Sequence, residues 1–355
     1  MKRIRDYGIT IGKGTPGKLN KITDVPGVTV GHVTINDGAI QTGVTAIYPQ
    51  KRNLFKEKVA ASSYVINGFG KTQGLLQIQE LGAIETPIVL TNTLNIGIVC
   101  DGLIEFMLKE NKEIGVSTGT VNPIVGECND GYLNDIRGKH VTKEHVFKAL
   151  SSDTRDFTEG SIGAGAGMSA FGLKGGIGSA SRKVIFNDGE YILGALVLSN
   201  FGKLENLTVD GNKVGQWINE REKPRDTENI EASADKGSVI IVLATDAPLS
   251  DRQLHRVCKR AAVGLGRTGS EIGQGSGDIV IAFSSKNPII HENPERESAI
   301  THFAEEQIDP FFTAAIEAVE ESVLNSMVTA KTTTGRGGHR RTSLKEYLET
   351  YIRTL

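Results

Sequence analysis

The chain changes abruptly from polar to apolar residues at one point, and this change restricts its possible folds more than any other feature. Residues 203–237 are its most polar stretch and end in REKPRDTENIEASADKG. Immediately afterwards, residues 239–244 form an unbroken apolar run that is rich in β-branched side chains. Such a run is typical of a strand that is buried on both faces. The sequence therefore predicts an exposed, mobile connection that leads, at Ser238, into the middle of a covered sheet.

Periodic segments predict helices and strands on both sides of this point. The predicted strands cover residues 22–25, 28–35, 87–90, 239–244 and 279–283, and the predicted helices cover residues 75–81, 141–150, 251–265 and 310–327. Thr142 and Ser250 are the candidate N-caps of two of these helices. The last helix is expected to be long and amphipathic, and Cys258 is expected to lie in the core. A length of 355 residues fits either two domains or one large two-sheet domain.

Charge and cysteine content narrow the classes of partner and location. Lys plus Arg number 40 against 42 Asp plus Glu, so the net charge of -2 offers no broad attraction to nucleic acid or to an anionic membrane. Cys100, Cys128 and Cys258 are odd in number and widely spaced, which argues against a disulfide framework. The basic N-terminus lacks the apolar run of a signal peptide, so the cytoplasm is the expected location.

Glycine is the outlier in composition, at 42 residues. Residues 165–170 read GAGMSA, a loose match to the dinucleotide fingerprint, but no strand directly precedes them. The alternative is a glycine-rich strand and turn pair packed closely against neighbouring backbone, and the sequence favours it. No cofactor is therefore expected.

Familiar metalloprotease and nucleotide-binding motifs are missing from the sequence. It contains no HExxH or GxxxxGK[ST] segment, and its seven histidines do not cluster, so no metal site is expected. His32 and His255 are interpreted as structural or surface residues. The chemistry has to be sought elsewhere.

A serine can dispense with histidine if it is the first residue of a chain. Its own α-amine, with a pKa of about 7.7 to 8.0, is then partly neutral and can take the hydroxyl proton. Such a serine has to be released by cleavage, and a preceding glycine leaves the scissile carbonyl unobstructed. Gly237 and Ser238, between the polar stretch and the buried strand, meet this description, although Gly-Ser before a strand is also simply a turn.

Several motifs, in order along nearly the whole chain, resemble the L-aminopeptidase/D-esterase family, the DmpA-like peptidases that include the β-peptidyl aminopeptidases. The central motif is GSVIIVLATDAPL at residues 237–249. The others are NKITDVPGVTVGHVT (20–34), TGVTAIYP (42–49), TPIVLTNTLNIG (86–97), VGECNDGYLND (125–135), NFG (200–202), GSGDIVIAFS (275–284) and GRGG (335–338).

The resemblance implies a four-layer αββα sandwich like that of N-terminal-nucleophile hydrolases. Residues 1–355 are then a single self-processing domain that cuts itself into an α chain (1–237) and a β chain (238–355) that stay associated. Buried strands around Ser238 agree with such a two-sheet core. The resemblance further implies a homo-oligomer of αβ units.

The resemblance also implies site residues, each with a plainer alternative. Ser238 is the implied nucleophile, and Asn200 the implied amide donor to the oxyanion, although it is also a turn asparagine before glycine. Tyr132 places a phenol hydroxyl in the same site or is a core tyrosine. Ser276 and Asp278 orient the amine of Ser238 or form a common loop feature.

Two neighbouring residues complete the implied site. Glu127 is the candidate anchor for the ammonium group of the substrate, because a buried cation needs an opposing carboxylate. Cys128 departs from the expected small hydroxyl residue, which leaves the reactivity of the site toward thiol reagents open.

The leading hypothesis is an aminopeptidase or amidase that releases N-terminal residues from short peptides, amides or esters through an acyl-enzyme on Ser238. One alternative is acyl transfer, as in the similarly folded ornithine acetyltransferases, but these use threonine as the nucleophile. A second alternative is an uncleaved, glycine-rich protein that binds a ligand without catalysis. The three differ in whether the Gly237–Ser238 bond breaks and in which acceptor takes the acyl group.

Overall fold

The computed structural model describes residues 2–222, 237–292, 295, 297 and 299–353. Within them the strands are β1 (Thr29–Asp37), β2 (Ile40–Tyr48), β3 (Glu57–Gly68), β4 (Ala83–Ile84), β5 (Ile88–Asn92), β6 (Ile124–Cys128), β7 (Ser169–Ala170), β8 (Leu173–Lys174), β9 (Gly176–Phe186), β10 (Gly189–Asn200), β11 (Ser238–Thr245), β12 (Gly277–Ile290), β13 (Thr333–Thr334) and β14 (Arg340–Arg341). The helices are α1 (Leu75–Leu81), α2 (Ile96–Glu110), α3 (Lys143–Ser151), α4 (Val214–Arg221), α5 (Asp251–Arg267), α6 (Asp309–Val328) and α7 (Lys345–Ile352).

Two sheets face each other and carry helices on their outer sides. The larger has the strand order β4-β3-β12-β11-β10-β9, and the smaller has the order β1-β2-β5-β6. Helices α5 and α6 pack on the larger sheet, and α2 and α3 pack on the smaller one. Three apolar layers fill the spaces between these elements. The predicted four-layer αββα sandwich is therefore confirmed.

Strand β11 shows why the apolar run after Ser238 has no polar face. Ile240, Val242 and Ala244 point into the layer between the sheets. Val239, Ile241 and Leu243 point into the layer under the helices, so every residue of the strand is buried. The predicted strand, covered on both faces, is confirmed.

The other predicted elements lie close to their expected positions, with one exception near the N-terminus. Ser250 caps α5, where its hydroxyl accepts from Gln253 N–H at 3.2 Å, and Cys258 is buried as predicted. The strand predicted at residues 22–25 is wrong, because Ile22–Asp24 is a 3-10 helix. The carboxylate of Asp24 accepts from the backbone N–H of Leu19 at 2.9 Å and thereby folds the chain back on itself.

The polar stretch 203–237 is partly folded, which corrects the prediction of an exposed connection. Its first part contains α4, whose Val214 and Ile218 are buried in the core under the helices. The prediction was wrong for this part because two buried apolar side chains among many charges suffice to anchor one short helix. Residues 223–236 lie outside the described part of the chain.

Helix α6 has the predicted length but is not amphipathic. Most of its residues are buried, including Glu317, Glu320 and Glu321. The N-terminal segment covers the side that the sequence assigns to solvent, where Arg5 forms an ion pair with Glu321 at 2.8 Å. No helix in the described part of the chain has both the length and the apolar character needed to cross a bilayer.

The glycine-rich stretch packs against backbone, as the sequence favoured. A Cβ added at Gly167 would lie 2.1 Å from the carbonyl oxygen of Gln41, and one at Gly178 would lie 2.0 Å from that of Ser322. Only glycine fits such approaches. The segment brings the hairpin of β7 and β8 against the end of β10, where the candidate site lies.

Candidate active site

Ser238 is the first residue of β11, and it lies in the middle of the larger sheet. It pairs with Asn200 of β10 on one side and with Gly277 of β12 on the other. Its side chain is buried, and its hydroxyl donates to the carbonyl oxygen of Gly237 at 2.6 Å. The same carbonyl oxygen accepts from the N–H of Gly277 at 3.2 Å. The carbonyl before Ser238 is thus held between the serine hydroxyl and a backbone donor.

Asn200 ends β10 directly beside Ser238. Because the two residues are paired across antiparallel strands, their side chains share one face of the sheet. The Asn200 amide is fixed at both ends: Oδ1 accepts from Ser169 N–H at 2.9 Å, and Nδ2 donates to the carbonyl of Asn129 at 3.0 Å. An amide nitrogen carries two N–H groups, so one remains for a further acceptor.

Ser276 and Asp278 flank Gly277 in the strand next to Ser238. Both side chains are buried, and the Ser276 hydroxyl donates to Asp278 Oδ1 at 2.6 Å. The structure therefore brings this predicted pair to the strand neighbouring Ser238 and joins its members by a hydrogen bond to a carboxylate, one of the stronger kinds.

Glu127 reaches the same region from β6 of the smaller sheet. Its Oε1 accepts from Lys71 N–H at 2.8 Å, and its Oε2 accepts from the hydroxyl of Thr93. A methyl group added to Gly70 would lie 3.6 Å from Glu127 Oε1 and 3.6 Å from the Cα of Gly277, so Gly70 lies between the two. Among the described residues, no lysine or arginine side chain forms an ion pair with this buried carboxylate.

Tyr132 lies in the loop that follows β6 and is 39% exposed, so the core alternative is wrong. Its ring stacks on His339 with 4.6 Å between centroids, and the guanidinium of Arg341 lies 3.7 Å from the ring centroid. The GRGG segment holds this loop, because Arg336 N–H donates to the carbonyl of Leu133 at 2.7 Å. The loop also contains Asn129, which contacts Asn200.

Cys128 is fully buried between the sheets, and its thiol donates to the carbonyl of Leu198 at 3.6 Å. Burial, together with the nearby carboxylates of Glu127 and Asp278, raises the pKa of this thiol well above its usual value. Because the thiolate is the reactive form, the structure makes Cys128 an inert packing residue.

The two histidines interpreted as structural have structural contacts. His32 Nδ1 lies 2.9 Å from Thr45 Oγ1, and burial lowers the pKa of the ring to about 4, so it stays neutral. His255 Nδ1 lies 3.0 Å from the carbonyl oxygen of Ser63.

Several groups at the site were not predicted from the sequence. The N–H groups of Gly277, Lys71 and Ser169 act through the backbone, which leaves no side-chain signature. The hydroxyl of Thr93 also went unnoticed. Thr93 and Gly277 do lie inside the motifs TPIVLTNTLNIG and GSGDIVIAFS, so close attention to those motifs could have found both.

Comparison with known proteins assigns this arrangement to one group of enzymes. The sequence profile of peptidase family S58 matches residues 20–341. The beta-peptidyl aminopeptidase BapA of Sphingosinicella xenopeptidilytica is 38% identical in an alignment 351 residues long, gaps included, that covers 94% of this chain and 86% of that protein.

Two solved structures share the whole fold. A protein of Pyrococcus horikoshii OT3 superposes with a TM-score of 0.93 at 50% identity, covering 99% of this chain and 98% of its own. The L-aminopeptidase D-Ala-esterase/amidase of Ochrobactrum anthropi, described as a prototype of the serine aminopeptidases and a variant of the Ntn hydrolase fold, superposes with a TM-score of 0.91 at 34% identity, covering 100% of this chain and 99% of its own.

Proposed function

The chain belongs to peptidase family S58 and is an aminopeptidase, and we propose that its nucleophile is Ser238, released as a new N-terminus when the Gly237–Ser238 bond breaks. One observation carries this proposal. The Ser238 hydroxyl lies against the Gly237 carbonyl, whose oxygen already accepts from Gly277 N–H.

Self-cleavage follows from this arrangement as an acyl shift. Ser238 Oγ attacks the Gly237 carbonyl carbon, and the developing negative charge on oxygen is stabilised by Gly277 N–H. The C–N bond then breaks as the nitrogen takes the hydroxyl proton, which leaves an ester and a free amine on Ser238. Water hydrolyses the ester, so that residues 1–237 end in a carboxylate and residues 238–355 begin with the amine.

Substrate hydrolysis repeats the chemistry with a different carbonyl. The α-amine of Ser238 takes the hydroxyl proton, and Oγ attacks the substrate carbonyl to form an acyl-enzyme that water resolves. The remaining N–H of Asn200 and the phenol of Tyr132 donate to the oxyanion. Ser276 and Asp278 hold the amine through the charge and hydrogen bonds of the strand beside it.

Glu127 supplies the preference for a free amino end. Its carboxylate is buried, and its hydrogen-bond donors within the described residues are both neutral, the Lys71 N–H and the Thr93 hydroxyl. Because a buried carboxylate is best stabilised by a cation, an incoming substrate ammonium completes the arrangement. Short peptides and amino-acid amides or esters present such a group next to the carbonyl to be attacked.

The decisive experiment compares the wild-type chain with Ser238→Ala. Wild type should give two bands on a denaturing gel, near two-thirds and one-third of 38.1 kDa, and N-terminal sequencing of the smaller should begin SVIIV. Ser238→Ala should give one band and no amidase activity. An intact wild-type chain with full activity would overturn the proposal.

Acyl transfer is the competing reaction for the same intermediate. The comparisons favour hydrolysis, since the named relatives are aminopeptidases, and Ser238 stands where an acetyltransferase of this type has threonine. Product analysis in water, with and without an added amine acceptor, separates the two. Hydrolysis predicts free acid as the main product even when the acceptor is present.

We also propose that αβ units associate with one another in the cytoplasm. Three of the most exposed large apolar side chains are Leu76 and Leu81 of α1 and Phe69, which precedes α1 in the chain, and a second copy would cover them. Light scattering should give a mass of several units for wild type and a smaller mass for Leu76→Glu. A monomeric wild type would exclude the oligomer.

A further inference from the structure

The amide of Asn200 is oriented by two separate loops. One loop, residues 165–175, contributes the Ser169 N–H to Oδ1, and the other, residues 129–134, contributes the Asn129 carbonyl to Nδ2. Since one contact is a donor and the other an acceptor, they fix which end of the amide is nitrogen. They also fix the direction of the N–H that remains. We call these two loops, with Asn200 between them, the amide clamp.

Lys174 holds the first loop of the amide clamp from inside. Its side chain has no solvent exposure, and its ammonium donates to the carbonyls of Gly165, Met168 and Gly175, each at 2.9 Å. These three bonds use all the donors of the ammonium. The Met168 carbonyl and the Ser169 N–H belong to the same planar peptide group, so the ammonium fixes the peptide that contacts Asn200.

Asp130 holds the second loop in a similar way. It is 1% exposed, its Oδ1 accepts from Asn134 Nδ2 at 3.0 Å, and its backbone carbonyl accepts from Leu133 N–H at 3.1 Å. The loops touch, because a Cβ added at Gly167 would lie 2.9 Å from the Cβ of Asp130. Two buried groups of opposite charge thus lie on the two sides of the clamp.

We propose that Lys174 and Asp130 are positioning residues for the oxyanion donor: they fix the two loops so that the remaining N–H of Asn200 points at the carbonyl attacked by Ser238. This inference rests on the proposed role of Asn200. The two side chains then affect catalysis although neither contacts the nucleophile or Asn200.

The pKa values of both groups are shifted in the way that burial inside the clamp predicts. Burial lowers the pKa of Lys174 to about 7, against which the nearby charge of Asp130 acts. Burial likewise raises the pKa of Asp130 to about 7, although hydrogen bonding, including that from Asn134, opposes it. Keeping two such groups buried is costly.

The test is a double-mutant cycle on the mature enzyme, with L-alanine p-nitroanilide as the probe. Asn200→Ala should lower kcat by roughly 100-fold to 1000-fold. Lys174→Met should lower kcat by about tenfold or more while KM changes less than about threefold, since it acts on the transition state alone. In the Asn200→Ala background, Lys174→Met should lower kcat no further.

Lys21→Met is the matched control. Lys21 is also a buried lysine whose ammonium donates to a carbonyl, that of Phe157 at 2.6 Å, but it lies outside the clamp. Lys21→Met should lower the melting temperature and leave kcat unchanged. Independent, additive effects of Asn200→Ala and Lys174→Met, or a wild-type kcat for Lys174→Met, would overturn the inference.

Two further outcomes separate the possible failures. If Asn200→Ala keeps the wild-type kcat, the proposed oxyanion role itself is wrong, whatever Lys174 does. If Lys174→Met does not fold, Asp130→Asn carries the test, because it removes the charge and keeps the size of the side chain. A fall of about fivefold or more in kcat at unchanged KM then supports the clamp, and an unchanged kcat contradicts it.

Discussion

Two sets of buried charged side chains in this molecule are satisfied in different ways. Under α6, Arg182 contacts Glu317 at 2.9 Å and Glu321 at 2.7 Å, and Arg5 also pairs with Glu321. At the candidate active site, the part of the chain that the structure describes offers Glu127 a backbone N–H and a hydroxyl, and no cationic side chain. In the first set, the α6 network, arginine side chains already pair with the buried carboxylates. Glu127 instead has room for a cation that a substrate can bring.

The carboxylates of the α6 network behave as paired groups. The pKa of Glu321 is lowered, although burial acts to raise it, because Arg5 and Arg182 stabilise the ionised form. Such a network stabilises the fold only as long as every partner is present. Removing a partner from it should therefore affect stability, whereas changing Glu127 should affect catalysis.

Removing an arginine from the α6 network should change the protein most, by lowering its stability. Arg182→Met should lower the free energy of unfolding by about 3 to 5 kcal/mol, because it leaves two buried carboxylates undercompensated. Urea unfolding in the Ser238→Ala background, where the chain should stay in one piece, measures this. Lys183→Met, which removes the exposed pair with Glu190, is the control and should cost less than about 1 kcal/mol. Equal losses would remove the distinction.

The second effect is on catalysis. Glu127→Gln should lower kcat/KM by about 100-fold for substrates with a free amino end, since the ammonium loses its carboxylate. The free energy of unfolding should change by less than about 1 kcal/mol, because a neutral amide replaces an unpaired charge.

Glu85→Gln is the matched control for that variant. Glu85 is also a buried carboxylate, but it is already paired with Lys58 at 3.1 Å. Glu85→Gln should reduce stability and spare kcat/KM. The comparison fails if Glu127→Gln is the less stable of the two and is fully active.

The third effect is a shift along the pH axis. In the proposed mature enzyme, the α-amine of Ser238 is a base only when neutral, so kcat should fall as the pH drops below about 7.7 to 8.0. A nearby carboxylate stabilises the ammonium form, and Asp278→Asn should therefore move this acid limb to lower pH by about 1 unit. A pH profile of kcat measures the shift. An unmoved limb would place Asp278 outside the electrostatics of the amine.

Alkylation of cysteine should leave the activity unchanged. Iodoacetamide at neutral pH should leave kcat/KM within about twofold, because Cys128 is buried and the raised pKa of its thiol keeps it protonated. Mass spectrometry of the treated protein identifies any labelled residue. Inactivation that Cys128→Ala prevents would show that the site opens far more than the structure indicates.

The sequence predicted the parts of the fold that follow from local pattern. The unbroken apolar run of β11 and the capped, periodic α5 each carry their own signal, and both were found. The resemblance supplied the residues that the structure brings to neighbouring strands, Ser238, Asn200 and Asp278. These are short-range regularities or matched motifs.

The misses have a common physical cause, which is tertiary context. Charges on α6 look like a solvent face until the N-terminal segment covers them with Arg5. The buried part of α4 rests on a few apolar residues within a polar stretch. Backbone donors such as Gly277 N–H have no residue type to recognise, and the contacts of Lys174 form only when the glycine-rich hairpin closes.

The strand order of the larger sheet bears on how the processed enzyme could ever be remade. The proposed cleavage before Ser238 would assign β11 and β12 to the second piece, and these lie between β3 and β10 of the first. The precursor assembles this insertion within one chain, at a high effective concentration. Once denatured, the two pieces would have to find each other as a bimolecular reaction while both expose strand edges. We therefore expect the mature enzyme to stay folded because it unfolds slowly, and not because its two pieces can refold to equilibrium.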